Sequence, residues 1–339
     1  MMRVCKSGAR RPSRRGALLR LMAALCLPVF AAVSLTGCGS GMDKDSLYSF
    51  ETREQIMAAE EAEDGMADAF ASQLCVVTDE GAFDQSLVDA EAAAVFSVDD
   101  LSVVYSKNAF ERLYPASITK VMTAILALKE GDLSDRVTVT DAAVITETGA
   151  SLANVKPGDE LTLEQLLYGL MLPSGNDAAN AIAVHLAGSV DAFADMMNRE
   201  TLALGATGTH FTNPSGLSNA DHYTTAYDLY LIFNEAMKYS EFREIIATPS
   251  YTANYTDGSG QAVSQTWMAS NWFMNGERQM PSGLTALGGK TGTTAAAGYC
   301  LIMASQADNG SEYISVVLKA GSRPLLYDNM TNIVSKIVD

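Results

Sequence analysis

Short apolar runs near both ends of the folded part, with helix-period residues between them, limit the fold of this chain more than any other feature. Ala93-Ala94-Val95-Phe96-Ser97-Val98 and Leu101-Ser102-Val103-Val104-Tyr105 flank Asp99-Asp100, the pattern of a hairpin. Near the other end, residues 298–305 and 313–318 flank Asn309-Gly310, a pair that tolerates positive φ and suits a tight turn. Between them, Leu163, Leu166, Leu167 and Leu170 recur at i, i+3, i+4 and i+7, one face of a helix. Thr162 and Gln165 form the pattern of a capping box at its start. Further helices are expected over 117–130, 177–188, 190–203, 225–240 and 323–337. An antiparallel sheet built from both chain ends, with helices packed on it and an inserted helical region, is an α+β architecture.

The residues before this domain read as an address and a tether. Arg3, Lys6, Arg10, Arg11, Arg14, Arg15 and Arg20 precede an apolar run over 21–35, and the first acidic residue is Asp43. That is the layout of an export signal. The run is shorter than the ~18 residues of a spanning helix and contains Pro28. It closes on Leu35-Thr36-Gly37-Cys38, which resembles the lipobox of bacterial lipoproteins. The resemblance implies cleavage after residue 37, a lipid on Cys38 and a protein held at the cell surface, where several acyl chains give stable anchoring. Ser13-Arg14-Arg15 is similar to a twin-arginine motif but has an alanine where a bulky apolar residue is usual, which leaves the export route open. Residues 38–73, with Glu60-Glu61-Ala62-Glu63-Asp64 at their centre, read as an acidic tether, and 74–339 as the folded domain.

Charge excludes one class of partner. The net charge of −17 becomes −24 once a signal with seven basic and no acidic residues is removed, so nucleic acid is not an expected partner. His185, His210 and His222 stand apart in the sequence without metal-ligand spacing, so no metal or other cofactor is expected. Cys75 and Cys300 read as free, buried thiols, although export would permit a disulfide between them.

Three short patterns carry chemistry. In Ser117-Ile118-Thr119-Lys120, Pro115 suits a first helical turn and the spacing puts serine and lysine on one face. A serine hydroxyl becomes a nucleophile only when a base takes its proton, and a lysine is that base only when uncharged. Ser174-Gly175-Asn176 lies between two expected helices; Ser174 can relay a proton to a leaving amine, and Asn176 offers a donor and an acceptor. Lys290-Thr291-Gly292-Thr293-Thr294, after Gly288-Gly289, reads as an edge strand open to close backbone approach. Lys290 would depress the Lys120 pKa and attract a substrate carboxylate, which Thr291 could also bind. The N–H groups of Thr293 and Ser117 could form an oxyanion hole. Each pattern alone is also what a capped helix, a polar loop or a glycine-rich turn looks like.

Together and in this order the three resemble the signature of penicillin-binding proteins and class A β-lactamases. With Tyr114-Pro115-Ala116, 167–180 and Phe211-Thr212-Asn213-Pro214-Ser215-Gly216-Leu217, the chain resembles the low-molecular-mass penicillin-binding proteins over about 85–335. It is most similar to their serine D-Ala–D-Ala carboxypeptidases, the family that includes penicillin-binding protein 5. The resemblance implies a β-lactamase/transpeptidase-like fold, peptidoglycan stem peptides as substrate and β-lactams as covalent inhibitors. It implies Ser117 as nucleophile, Lys120 as base, Ser174 and Asn176 as relay and positioning groups, and Lys290 and Thr291 as carboxylate binders. Arg323 is a looser candidate for the same carboxylate. Thr293 stands where some members have histidine, but the backbone N–H is what the oxyanion hole uses. Members often carry a β-rich C-terminal domain and an anchoring helix; this sequence ends at Asp339, one expected helix past the last strand, and the lipid on Cys38 is expected to take over the anchoring.

Three rival readings remain. A class A β-lactamase uses a Glu-x-x-x-Asn stretch between the second and third patterns, and none of Glu200, Glu235, Glu241, Glu244 and Glu277 has an asparagine four residues on. An endopeptidase acting on cross-links shares all three patterns. A catalytically idle β-lactam-binding lipoprotein would not need Ser117, Lys120 and Lys290 intact.

Overall fold

The computed structural model describes Cys75, Val77 and residues 80–338. The expected signal, Cys38 and the acidic tether lie outside the described residues. Both hairpins form: β1 (Ala90–Ser97) pairs with β2 (Val103–Lys107), and β8 (Gly298–Ala307) with β9 (Glu312–Ala320). The two hairpins meet where β1 pairs antiparallel with β9, from Ala90 opposite Ala320 to Ser97 opposite Tyr313. With β7 (Leu284–Thr294) the order is β2-β1-β9-β8-β7, so the strand carrying Lys290 is an edge strand, as its glycines suggested. The β8–β9 turn is tightened by Ala307, whose carbonyl accepts from Gly310 and whose N–H donates to the Ser311 carbonyl. Only Gly310 of the Asn-Gly pair has positive φ (+93°).

These strands are apolar on both sides because both faces of the sheet are covered. Ala92, Ala94, Phe96, Ile302, Val316 and Leu318 face the central helices. Their neighbours Ala93, Val95, Leu301, Met303 and Val317 pack against Leu326, Tyr327 and Met330 of α8 (Arg323–Ser335). The central layer contains α1 (Lys120–Glu130), α2 (Leu163–Met171), α3 (Asn176–Ala187), α4 (Val190–Ala203), α5 (Ala226–Ala236) and α6 (Ser240–Ala247). Every residue of α1 from Lys120 to Ala127 is buried, so this helix runs through the interior. The capping box at α2 is made: Gln165 N–H donates to Thr162 Oγ1 at 3.1 Å and Thr162 N–H to Gln165 Oε1 at 2.9 Å.

The region between the hairpins is not wholly helical. A second antiparallel sheet, in the order β3-β4-β5-β6, joins Arg136–Thr138, Glu160–Thr162, Ser250–Thr256 and Ala262–Met268. Its first two strands are three residues long, and β5 and β6 are largely exposed or half-buried. A strand that buries so little has no apolar run to announce it. The short α7 (Trp272–Asn275) leads from β6 toward β7. Cys75 and Cys300 are both free and buried.

Candidate active site

Ser117 does not sit in the helix that the sequence suggested would begin there. Residues Ala116–Thr119 form a 3-10 turn and the α-helix starts at Lys120. Ala116, just before the nucleophile candidate, has φ +48°, a region disfavoured for a side chain bearing Cβ. Two glycines allow this turn to be gripped tightly. A Cβ on Gly216 would lie 1.8 Å from the Ala116 carbonyl oxygen, and one on Gly292 would lie 2.7 Å from that of Pro115. The loop after α4 and the edge strand β7 therefore clamp the serine turn from two sides.

Lys120 is completely buried and its Nζ has three close neighbours. Ser117 Oγ is at 2.9 Å, Asn176 Oδ1 at 2.7 Å and the Ser215 carbonyl oxygen at 2.6 Å. Burial first, and then the charge of Lys290, hold the Lys120 amine well below the usual lysine range, with Asp177 pulling the other way. A neutral amine has two N–H bonds and one lone pair. Asn176 Oδ1 and the Ser215 carbonyl can only accept, so they take both N–H groups, and the lone pair is left facing the Ser117 hydroxyl. The arrangement can thus draw the serine proton without further movement.

Lys290 is 1 % exposed and donates to Ser174 Oγ at 2.9 Å and to the Thr291 carbonyl at 3.0 Å. Burial brings its amine down to about 7. Ser174 itself has φ +67°, a second strained residue in the site. Thr291 Oγ1 lies 2.8 Å from Ser270 Oγ, at the end of β6. Ser117, Asn176 and Thr293 line one cleft of about 420 Å³. Ser117, Lys120, Ser174, Asn176, Lys290, Thr291 and Thr293 thus lie in this one region. The guanidinium of Arg323, the looser candidate, sits over the Trp272 ring, 6.0 Å from the centroid.

Four supporting residues carried no sequence pattern of their own. Ser215 contributes its backbone, within the 211–217 stretch that had drawn attention only by resemblance. Its loop is held by Asn213 Oδ1, which accepts from the N–H of Ser215 (3.1 Å) and of Gly216 (2.8 Å). Asp177, buried at the start of α3, accepts N–H bonds from Ala153 (2.8 Å) and Val155 (3.1 Å). Burial raises its pKa, against the lowering effect of these donors. His222 is buried; Nδ1 accepts from the N–H of Thr212 at 3.1 Å, so Nε2 carries the proton and donates to Thr119 Oγ1 at 2.7 Å. Burial pushes its pKa down to about 4. Ser270 is the fourth, beside Thr291.

A serine hydroxyl beside a fully buried lysine of lowered pKa, with a second lysine across the cleft on an edge strand, is the arrangement of a serine–lysine acyl-transfer site. The profile of the D-alanyl-D-alanine carboxypeptidase family (peptidase S11) matches residues 80–322, and the chain belongs to this family. A D-alanyl-D-alanine carboxypeptidase of Streptomyces sp. strain K15 is 36% identical over 245 residues, covering 69% of this chain and 82% of the relative. The carboxypeptidase DacF of Bacillus subtilis strain 168 is 33% identical over 239 residues, 69% of this chain but 58% of its own length. The chain thus spans little more than half of that relative. The crystal structure of the Streptomyces K15 DD-transpeptidase superimposes with a TM-score of 0.68 at 34% identity, covering 74% of this chain and 97% of that one.

Proposed function

We propose that this chain is a serine D-Ala–D-Ala carboxypeptidase that trims the terminal D-alanine from peptidoglycan stem peptides. The observation that carries the reading is the Lys120 amine, with Asn176 Oδ1 and the Ser215 carbonyl as acceptors and Ser117 Oγ at 2.9 Å. Ser117 Oγ attacks the carbonyl carbon of the penultimate D-alanine while its proton passes to Lys120. The oxyanion forms against the N–H groups of Ser117 and Thr293, donors of a kind worth roughly 3–4 kcal/mol each. Collapse breaks the C–N bond, and the leaving nitrogen takes its proton from Lys120 through Ser174. Lys290 and Thr291 bind the carboxylate of the departing D-alanine, and Ser270 orients the Thr291 hydroxyl. Water then attacks the ester, gives its proton to Lys120 and restores Ser117. A β-lactam acylates the same oxygen, but its opened amide stays attached.

A second reading is acyl transfer to an amine instead of water, because the Streptomyces K15 relative is named as a carboxypeptidase in sequence comparison and as a DD-transpeptidase in its crystal structure. The two are separated by incubating the enzyme with a D-Ala–D-Ala pentapeptide, with and without glycine as acceptor. Free D-alanine with a tetrapeptide product supports the carboxypeptidase; a glycine-capped product as the main species supports the transpeptidase; intact pentapeptide contradicts both.

The reading extends to location. The basic and apolar N-terminus and Leu35-Thr36-Gly37-Cys38 support export and a lipid anchor on Cys38. Membrane association that survives Cys38→Ala in cells would exclude that anchor.

A further inference from the structure

His222 supplies no group to the bond-making steps, and it is not among the residues lining the cleft. It stands between two segments that are. Its ring is 1 % exposed, with Nε2 at 2.7 Å from Thr119 Oγ1 and Nδ1 accepting the Thr212 N–H at 3.1 Å. Thr119 closes the 3-10 turn that carries Ser117 and immediately precedes Lys120. Thr212 opens the loop that delivers the Ser215 carbonyl to the Lys120 amine. One imidazole therefore ties the serine–lysine turn to the loop that takes one of the lysine's N–H groups.

The tie lies where the two segments press closest. A Cβ on Gly216 would come within 2.9 Å of Thr119 Oγ1 as well as 1.8 Å of the Ala116 carbonyl oxygen. A second strut runs beside it: Thr123, one helical turn beyond Thr119, donates from Oγ1 to the Pro214 carbonyl at 2.7 Å. The Lys120–Ser215 contact at 2.6 Å is held between these two struts. The ring is itself fixed in place. The His222 N–H donates to the Asn219 carbonyl at 3.0 Å, the neighbouring Tyr223 exchanges backbone hydrogen bonds with His210, and the Phe211 ring lies 5.4 Å away between centroids. The charged groups that act on the ring are Lys120, from α1, and His210, from across the Tyr223 bridge. From the loop it meets Thr212 and Asn213, which carry no charge, and among the described residues no carboxylate bonds to it. A proton added at Nδ1 would set an N–H against the Thr212 N–H, so only the neutral ring makes both bonds.

We propose that His222 is a positioning residue for the acylation of Ser117, a neutral strut that keeps the 212–216 loop docked on the serine–lysine turn. This rests on the serine–lysine reading and adds a residue outside the cleft on which the placement of the Lys120 amine depends. When the strut is lost, the loop and the turn separate and the Ser215 carbonyl leaves the amine. The amine is then free to rotate, and its lone pair no longer stays aimed at Ser117 Oγ. A shift of about 1 Å at such a group costs on the order of 100-fold in rate. The chemical step slows, while substrate binding, which uses other side chains, is spared.

The test follows acylation by benzylpenicillin in folded wild type, His222→Gln, His222→Leu and Thr119→Val, together with D-alanine release from a D-Ala–D-Ala peptide. His222→Leu and Thr119→Val each slow acylation by about 10- to 100-fold. The peptide kcat falls with it, while KM stays within about twofold. Combining the two substitutions is no slower than the slower one alone, because both remove the same tie. His222→Gln, which keeps an acceptor and a donor, restores the rate to within about threefold of wild type. As pH falls from about 6 to about 3.5, the wild-type rate drops about two- to fourfold relative to His222→Gln, because a ring of pKa about 4 gains its proton there. Should His222→Leu fail to fold, Thr119→Val and the pH ratio decide. Wild-type acylation in Thr119→Val, or losses that multiply in the double variant, overturn the assignment and leave the serine–lysine enzyme standing. Equal slowing in His222→Gln and His222→Leu, or a ratio that ignores pH, does the same. A wild type that is never acylated removes both.

Discussion

Lys290 reaches across the cleft to Ser174, a residue 116 positions earlier in the chain, and donates to its Oγ at 2.9 Å. Among the described residues no carboxylate pairs with this amine, which is held in the interior by its hydrogen bonds to Ser174 and the Thr291 carbonyl. Such a group serves the site at the expense of the fold.

The cost is measurable. The Lys290 pKa is about 7 in the folded protein against 10.5 when unperturbed. Between those values the unfolded chain binds more protons than the folded one, so this group's penalty is complete below about pH 7 and is relieved as pH rises toward 10.5. Lys290→Met should therefore raise Tm by about 3–8 °C near neutral pH while abolishing D-alanine release. Thermal melts of both proteins from pH 7 to 10 should show the gap closing. A gap that stays constant would mean that the amine is not held at a depressed pKa.

His222 acts at the other end of the pH scale. Its folded pKa of about 4 lies below the unperturbed 6.5, so the neutral ring contributes stability that is present above 6.5 and lost as pH falls toward 4. His222→Gln retains an acceptor for Thr212 and a donor for Thr119. Between pH 7 and 4 the wild type should lose on the order of 2–3 kcal/mol more stability than this variant. Denaturant unfolding across that range reads the difference directly, and equal losses would contradict the buried neutral ring.

Gly216 is required by space and by backbone together. Its φ is +85°, and an added Cβ would lie 1.8 Å from the Ala116 carbonyl oxygen. Gly216→Ala must push the loop away from the serine turn and take the Ser215 carbonyl from Lys120. A shift of about 1 Å at a catalytic group costs on the order of 100-fold. Penicillin acylation should slow by at least that factor in protein whose circular dichroism is still folded. Wild-type acylation would show that the grip on Ala116 does not matter.

The legibility of this protein follows from how each group works. Ser117, Lys120, Ser174, Asn176, Lys290 and Thr291 carry their polar groups on side chains within three short patterns, so the sequence displays them. The two hairpins of the main sheet were readable because Phe96, Val316 and their neighbours are buried on both faces. The second sheet was not, since strands such as Ser250–Thr256 bury few side chains and alternate weakly. Ser215 acts through a carbonyl, which every residue possesses. The distances from Lys120 to Ser215 and from Thr119 to His222 span 95 and 103 residues, and only folding brings them together. The 3-10 turn at Ser117 was hidden for a related reason: the clamp that shapes it comes from Gly216 and Gly292, remote in the chain.

The central claim is that Ser117 Oγ becomes an acyl ester with the help of the Lys120 lone pair. Intact-protein mass spectrometry after benzylpenicillin treatment, followed by peptide mapping, tests it most directly. One penicilloyl group per chain should appear on the peptide containing Ser117, slowly or not at all in Lys120→Met, and never in a folded Ser117→Ala variant. An adduct on another residue, or an unmodified wild type, would contradict it.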